Sequence, residues 1–380
     1  MWGPKRIGFN LVIISRYLIK EVGAALLAVT FVLLLIFLSN QLVRYLNYAA
    51  TGKIAASFVM QMLGFEVPYL LALLLPLGFY LGIIFAYGRL YADSEMPVLN
   101  ACGFGIKRVL LLTSLLAIAI SLVVLVLALW VNPIIADQKS KGIASDNVLS
   151  TLRPGRFQVI NEGRTVVYVE KISRNRQQAN NLFIAEEPKN KLNDDKSWVV
   201  VSAAKAYQAK NAERQKFIVS TDGYRYDGTP GQNDYKIIQF KKYAVRLPDA
   251  PITTPHQEQE AIPTTVLWHH YQDPQAAAEL QWRLSLPLSV FVLMLLAVPI
   301  SRVMPRQSRY ANLVPAILIY IIYVNTLFMA RNWVELKMVP DLIGMWWVHA
   351  VLCALGLILL VYQEYCQLRF SSLFAWVRKK

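Results

Sequence analysis

Hydrophobic residues along this chain fall into six long runs, and between the third and the fourth the pattern changes to short alternations of apolar and polar positions. A helix needs about 20 mainly apolar residues to cross the ~30 Å hydrocarbon core of a bilayer. Residues 22–43 form the first such run and carry no charge. The second, 54–88, is interrupted by Glu66 and is predicted to bend at Pro68 and Pro76, where proline removes a helix hydrogen bond. The third is 109–136, and after the insert come 284–301, 310–330 and 342–363. Run 284–301 is the shortest and contains Pro287 and Pro299. The first run is too long for the apolar core of a secretory signal and has no small-residue cleavage site close behind it, so it reads as a retained span.

The insert reads as β-structure. Alternation occurs at 165–172, 182–186, 198–203, 216–221 and 235–247, with turn-forming clusters at 190–195 and 227–234. Short strands separated by Gly, Asn, Asp and Pro predict an antiparallel sandwich or roll. Toward its end the stretch 264–282 becomes helical, through Ala276, Ala277, Ala278, Glu279 and Leu280, and is predicted to lead into the fourth span. The expected plan is three spans over 1–136, an all-β insert over 137–262, a connecting helix over 263–282, and three further spans over 283–380.

Composition supports a membrane protein: 56% of residues are hydrophobic and the mean hydropathy is +0.38. The formal charge of +15 would suggest nucleic acid in a soluble protein. Its distribution says otherwise. Residues 132–281 hold 20 Lys/Arg against 17 Asp/Glu, and the rest of the chain holds 19 against 7, so the excess flanks the apolar runs. Among the short connections, fourteen Lys/Arg lie on the side of the termini and four, Arg44, Lys53, Arg331 and Lys337, on the other. The positive-inside rule then predicts cytoplasmic termini and an insert outside the cytoplasm, in a bacterium the periplasm. Arg283 falls at the outer face, where the fourth span starts. The three cysteines, Cys102, Cys353 and Cys366, lie in or beside apolar runs, so no disulfide is expected in the insert.

Catalytic motifs are missing from the sequence. Residues 103–107 have neither the spacing nor the Ser/Thr of a phosphate-binding loop, so any ATP is expected to bind another subunit. The adjacent His269 and His270 point apart on a helix and suit a surface better than a metal. No nucleophile elbow or HExxH occurs, and the chain is read as a non-enzyme with no bound cofactor. The most informative stretch is the connection between spans two and three, GRLYADSEMPVLNACGFGIKR, residues 88–108. It mixes Arg89, Asp93, Ser94 and Glu95 with Leu90, Tyr91, Met96 and Leu99, which predicts a short amphipathic helix near 89–99 that kinks or restarts at Pro97. Such a helix is either an ordinary connector or a docking element, with Leu90, Tyr91 and Met96 filling a groove while Asp93 and Glu95 meet cations.

The run LYADSEMPVLNACG closely resembles the corresponding loop of the lipopolysaccharide export permeases, the LptF and LptG family of ABC-transporter membrane subunits. AELQWRLSLPLSVFVLMLLAVPISRVMPRQSRY, residues 278–310, is a second match, its ELQWR opening and PRQSR close leaning toward the LptF side, and RYLIKE at 16–21 is a third. Met96 and Pro97 depart from the Ile and Thr frequent at those positions. The resemblance implies six transmembrane helices with an inserted periplasmic β-jellyroll. It makes the loop a coupling helix on an LptB-like ATPase dimer, which carries the ATP and magnesium, with Glu95 as the acidic contact. It also implies pairing with an LptG-like permease and lipid transfer toward an LptC-like single-span protein. Lipopolysaccharide carries phosphates above its acyl chains, so its cavity should be apolar with a cationic outer rim. Arg44, Lys53 and Arg283 are the rim candidates; Leu33, Ile36, Phe37, Phe79, Ile317, Tyr320, Ile321 and Val324 are the wall candidates. Glu66, an acid inside a span, is a further suspect. Asn40, Gln41 and Asn325 are expected to hydrogen-bond between helices. The alternative is an ABC membrane subunit that transmits force to a periplasmic partner without conducting lipid.

Overall fold

The computed structural model of the chain describes residues 5–50, 56–145, 154–160, 165–173, 178–187, 198–210, 216–229, 235–246, 259–302, 312–340 and 343–377. Its helices are α1 (Lys5–Ala50), α2 (Val59–Ala92), α3 (Glu95–Ala101), α4 (Ile106–Val126), α5 (Asn132–Ser145), α6 (Thr264–His269), α7 (Pro274–Ile300), α8 (Leu313–Glu335) and α9 (Trp346–Val377). A π-helical turn, Leu127–Val131, joins α4 to α5 without a break. Among the described residues, six helical segments are long and apolar enough to cross a membrane: Ile13–Ala50, Val59–Ala92, Ile106–Ser140, Pro274–Ile300, Leu313–Glu335 and Trp346–Gln363. The chain forms two compact units, one from 1–41, 63–138 and 255–380, the other from 42–62 and 139–254.

In the first unit α7 is the central helix, with α4, α8 and α9 packed around it. Although 284–301 reads as the shortest apolar run, the helix begins at Pro274 and runs for 27 residues. Asp273 starts it: its carboxylate accepts from the Gln275 amide, with Pro274 in the first turn. Ala277, Ala278, Ser285 and Ala297 are buried along it, and side chains this small let neighbouring helices come close. In lipid no water is at hand for the last carbonyls of a helix, so protein groups must cap them. Gln363 Nε2 donates to the Pro299 carbonyl (2.8 Å), and Asn312 Nδ2 to those of Ile300 (2.6 Å) and Arg302 (2.9 Å). Further polar ties cross the bundle. Tyr80 donates to the Ala316 carbonyl (3.2 Å), Ser121 to the Pro287 carbonyl (3.0 Å), and Tyr87 shares a hydrogen bond with Thr113 (2.7 Å).

The insert is all-β, a six-stranded antiparallel sheet in sequential order: β1 (Gln158–Ile160), β2 (Thr165–Ile172), β3 (Gln178–Glu186), β4 (Trp198–Lys210), β5 (Lys216–Gly228) and β6 (Lys236–Arg246). Its core comes from Val167, Val169, Leu182, Ile184, Val201, Ala206 and Ile218. A transverse crease crosses the sheet. Along β3 the buried positions are Ala179, then Leu182, Ile184 and Ala185; along β4 they are Val201 and Ala203, then Ala206; along β5, Ile218 and Ser220, then Gly223. In each strand the buried positions therefore shift phase by one place, and the shift falls at one row, because Asn181, Ala204 and Asp222 lie between pairs in the same register and residues on both sides of them join one core. Asn181 (φ 51) and Asp222 (φ 54) have left-handed backbone, which swings the chain out of the pleat. Asn181 Nδ2 also donates to Glu170 Oε2 across β2 (2.5 Å). Beside the crease the backbones crowd: a Cβ on Gly223 would lie 2.9 Å from Ala203 Cα. β3, β4 and β5 are all longer than the alternation predicts, since the period-two signal is interrupted at the crease.

Left-handed backbone costs a branched residue about 1–2 kcal/mol more than Gly. Asn181→Val and Asp222→Val should therefore speed hydrogen exchange of β3 to β5 amides in the full-length protein, while Asn181→Gly and Asp222→Gly should leave it near the original rate. Equal protection in both sets would refute the crease as a backbone requirement.

Candidate functional site

The connection between the second and third spans is set by three local events. First, α2 continues through Arg89, Leu90 and Tyr91 to Ala92, so this half of 89–99 is the last turn of a spanning helix. Second, the chain reverses at Asp93 and Ser94. The Asp93 amide donates to the Arg89 carbonyl (2.9 Å), the Ser94 amide to that of Tyr91 (3.1 Å), and Ser94 adopts φ 61. Third, α3 starts at Glu95, two residues ahead of the restart expected at Pro97. Pro97 fits the first turn because amide donors there have no intrahelical acceptor to lose. Gly103, at φ 84, closes the short helix, with the Phe104 amide returning to the Leu99 carbonyl (2.9 Å).

Burial divides the loop into an anchor and a free face. Leu90 (0% exposed) and Met96 (2%) are buried in the bundle core, with Phe104, and Tyr91 and Leu99 pack against that same core. The expectation that Leu90, Tyr91 and Met96 fill a partner's groove is thereby corrected. A seven-residue helix has too little contact of its own to hold a fixed direction, and its apolar side is spent on anchoring it. Asp93, Ser94, Glu95, Pro97 and Val98 face outward. Glu95 is held in place: its Oε2 accepts from the Tyr17 hydroxyl (2.9 Å). Arg89 Nη2 pairs with Glu21 Oε2 (2.9 Å) and reaches the Tyr17 oxygen (3.4 Å). Water screens such a pair, which orients groups more than it stabilises the fold. Tyr17 and Glu21 do not feature in the sequence reading as site residues. Their four-residue spacing, which puts both on one face of α1, is the available signal.

The predicted lipid-facing residues separate clearly. On α1, Ile36 (55% exposed) and Phe37 (39%) point outward and Leu33 is half-buried; on α8, Ile317 and Ile321 are exposed while Tyr320 and Val324 are half-buried. Arg44 is exposed at the far end of α1. Lys53 lies outside the described residues. Phe79 is fully buried in the bundle core and is closed to a ligand, because it faces inward from the most enclosed part of α2. Glu66 is also buried. Asn325 bonds the Ile321 carbonyl of its own helix (2.8 Å) in place of a neighbouring one.

Arg283 is the second correction. It is 3% exposed and forms no rim. Its Nε donates to Glu279 Oε1 (2.8 Å), Nη1 to the Ile262 carbonyl (3.0 Å) and Thr264 Oγ1 (2.9 Å), and Nη2 to the carbonyls of Gln259 (3.3 Å) and Glu260 (3.1 Å). Glu279 Oε2 accepts from Arg331 Nη2 (2.8 Å), and Arg331 Nε donates to Glu335 (3.1 Å). These two acids and two bases make a neutral buried cluster. The rest of the ELQWR run is equally engaged. Leu280 packs with Leu267 and Ala276. Gln281 donates to Tyr271 (3.0 Å) and accepts from the Met345 amide (2.9 Å), in a turn where Gly344, at φ 37, leaves room that a Cβ would take from the Gln281 side chain. Trp282 stacks on Phe328 (4.9 Å) and lies under the Arg331 guanidinium (5.3 Å). The four-residue spacing of Glu279 and Arg283 beside an apolar run is the sequence signal for such a pair.

The chain was compared with known proteins. Residues 16–362 match the family model described as "Lipopolysaccharide export system permease LptF/LptG". Relatives named lipopolysaccharide export system permease protein LptF from Escherichia coli (strain K12), Escherichia coli O157:H7 and Shigella flexneri are each 31% identical over 353 residues, covering 91% of this chain and 94% of theirs. A bundle of six apolar helices interrupted by an antiparallel β-domain, matched over almost its whole length, belongs to the LptF/LptG family of lipopolysaccharide export permeases.

Proposed function

We propose that this chain is one membrane half of an ATP-driven extractor of lipopolysaccharide. It pairs with an LptG-like permease, docks an LptB-like ATPase dimer through the 93–98 face, and passes lipid by way of its β-domain toward an LptC-like protein. The excess of Lys and Arg on the side of the termini supports a cytoplasmic position for that face and a periplasmic one for the β-domain. ATP and its magnesium belong to the ATPase partner, and this chain supplies the surface they act on.

The observation that carries the reading is the outward carboxylate of Glu95, fixed by Tyr17 on a short helix whose other side is anchored in the core. A firmly held docking element transmits a displacement that a floppy one would absorb. Lipid handling is supported by the outward residues of α1 and α8, Ile36, Phe37, Ile317 and Ile321, with Leu33, Tyr320 and Val324 behind them and Arg44 at the end of α1. Arg44 suits a phosphate-bearing lipid head because, among the described residues, it has no acidic partner of its own. Arg283 and Phe79 leave this set.

Glu95→Arg should abolish ATP-dependent lipid release while the chain still inserts in the membrane; unchanged release would remove the docking assignment. Tyr17→Phe removes the hydroxyl that donates to Glu95 and accepts from Arg89 and should weaken ATPase association by about 2- to 10-fold, measured by titrating the ATPase against the permease pair in nanodiscs. Photo-crosslinkers at Ile321 and Ile317 should capture lipopolysaccharide well above a crosslinker at Leu115, an exposed residue of α4. Equal capture at all three sites would favour a subunit that transmits force without conducting lipid.

A further inference from the structure

We propose that the buried cluster around Glu279 and Arg283 is a positioning device that joins both chain connections of the β-domain to α7 and α8, so that helix displacement reaches the two connections together. The inference rests on the extractor reading above and names a part of the chain that does not touch lipid.

The chain leaves the bundle for the β-domain through the π-helical turn Leu127–Val131 and α5, and returns from it through the residues before α6. Arg283 holds the return. Three of the backbone carbonyls it binds, Gln259, Glu260 and Ile262, come from that one short stretch, and its remaining partners are Thr264 and Glu279. Thr264 then links return to departure: its hydroxyl accepts from Arg283 and donates to the Leu129 carbonyl (2.6 Å) inside the π turn. A π turn widens the helix and leaves carbonyls open to outside donors, and such turns recur at functional sites. On the other flank Glu279 binds Arg331 of α8, which is sandwiched between Glu335 and the Trp282 ring. One arginine and one glutamate thus connect the outgoing turn, the incoming strand of chain, α7 and α8.

The choice of chemistry argues for more than stability. Burying two acids and two bases, with side chains 3–13% exposed, costs desolvation that well-packed apolar residues would avoid. What charge offers in return is direction. Arg283 has five donors in a rigid fork, and here every bond fixes the guanidinium against a different backbone or side-chain acceptor. An apolar substitute would let the connections slide.

The test uses the complete permease pair with its ATPase in nanodiscs, reading ATP hydrolysis and, separately, lipopolysaccharide crosslinked to the β-domain per ATP hydrolysed. Thr264→Val keeps the side-chain shape and removes the link to Leu129; Glu279→Gln keeps the shape and removes the central charge. Both variants should hydrolyse ATP at close to the normal rate. Lipid delivered per ATP should fall by about 5-fold for Thr264→Val, the weight of one hydrogen bond of coupling, and further for Glu279→Gln. Delivery per ATP that is unchanged in both variants overturns the inference. So does a parallel fall in assembly, hydrolysis and delivery, which marks a cluster that only holds the fold. A wild-type complex that hydrolyses ATP without delivering lipid overturns the extractor reading itself.

Discussion

Glu279 has two carboxylate oxygens, and each is taken by a different arginine, Arg283 from its own helix and Arg331 from α8. Alone, any of these buried charges would be costly; together with Glu335 they sum to zero, and Arg283 uses its remaining donors on backbone carbonyls and a threonine. The position of α7 follows from this arrangement. It is the helix that α4, α8 and α9 all pack against, and its polar first turns are tolerated in the interior only because the charges meet there. Removing one partner would leave the others buried and unpaired.

A second polar arrangement, at the loop between α2 and α4, follows a different rule. Tyr17, Glu21, Arg89 and Glu95 are in contact with solvent, so their pairing brings little stability and mainly sets where Glu95 points. Its firmness comes instead from Leu90, Met96 and Phe104 in the core. The β-domain carries one more ion pair of the exposed kind, Arg225 with Asp227 (2.7 Å), where the hydrogen bond to the aspartate raises the arginine pKa further above its ordinary value. Similar residue types thus serve as structural locks where water is excluded and as pointers where it is not.

This difference in environment explains what the sequence could and could not reveal. Apolar length identified all six spans, since a bilayer imposes a minimum run of hydrophobic residues that no tertiary contact can replace. Periodicity located β2 to β6 and missed the three-residue β1, and it misjudged the ends of others: expectations for β4 and β5 stop at Ala203 and Thr221, and that for β3 starts at Leu182, all beside the crease where alternation changes phase. The outward acids of the loop were legible at Asp93 and Glu95. The inward turn of Leu90 and Met96 was not, because an amphipathic pattern shows that one side is apolar without saying whether self or partner covers it. Arg283 was misplaced for a related reason. A cation at the end of an apolar run reads as a snorkelling flank residue, and only the fold shows that Arg331, 48 positions away in the chain, shares an acid with it.

The two polar arrangements are connected by the body of α7. At about 1.5 Å per residue its 27 residues extend roughly 40 Å, enough to cross the hydrocarbon core. The charge cluster occupies its first turns. At its other end Asn312 and Gln363 cap the last carbonyls. Between the ends, Ser285, Val290, Leu293 and Ala297 are buried against three neighbouring helices, and a close-packed interior of this kind resists local deformation. A displacement at one end of α7 therefore has few ways to dissipate within the helix before it reaches the other. The weakest element in that line is the exposed set of bonds around Glu95, which a docking partner would complete, and the strongest is the buried cluster, which needs no partner. On the proposed coupling, this order of strengths would let binding energy at the loop move the helix as a body and leave the connections to the β-domain intact while it moves.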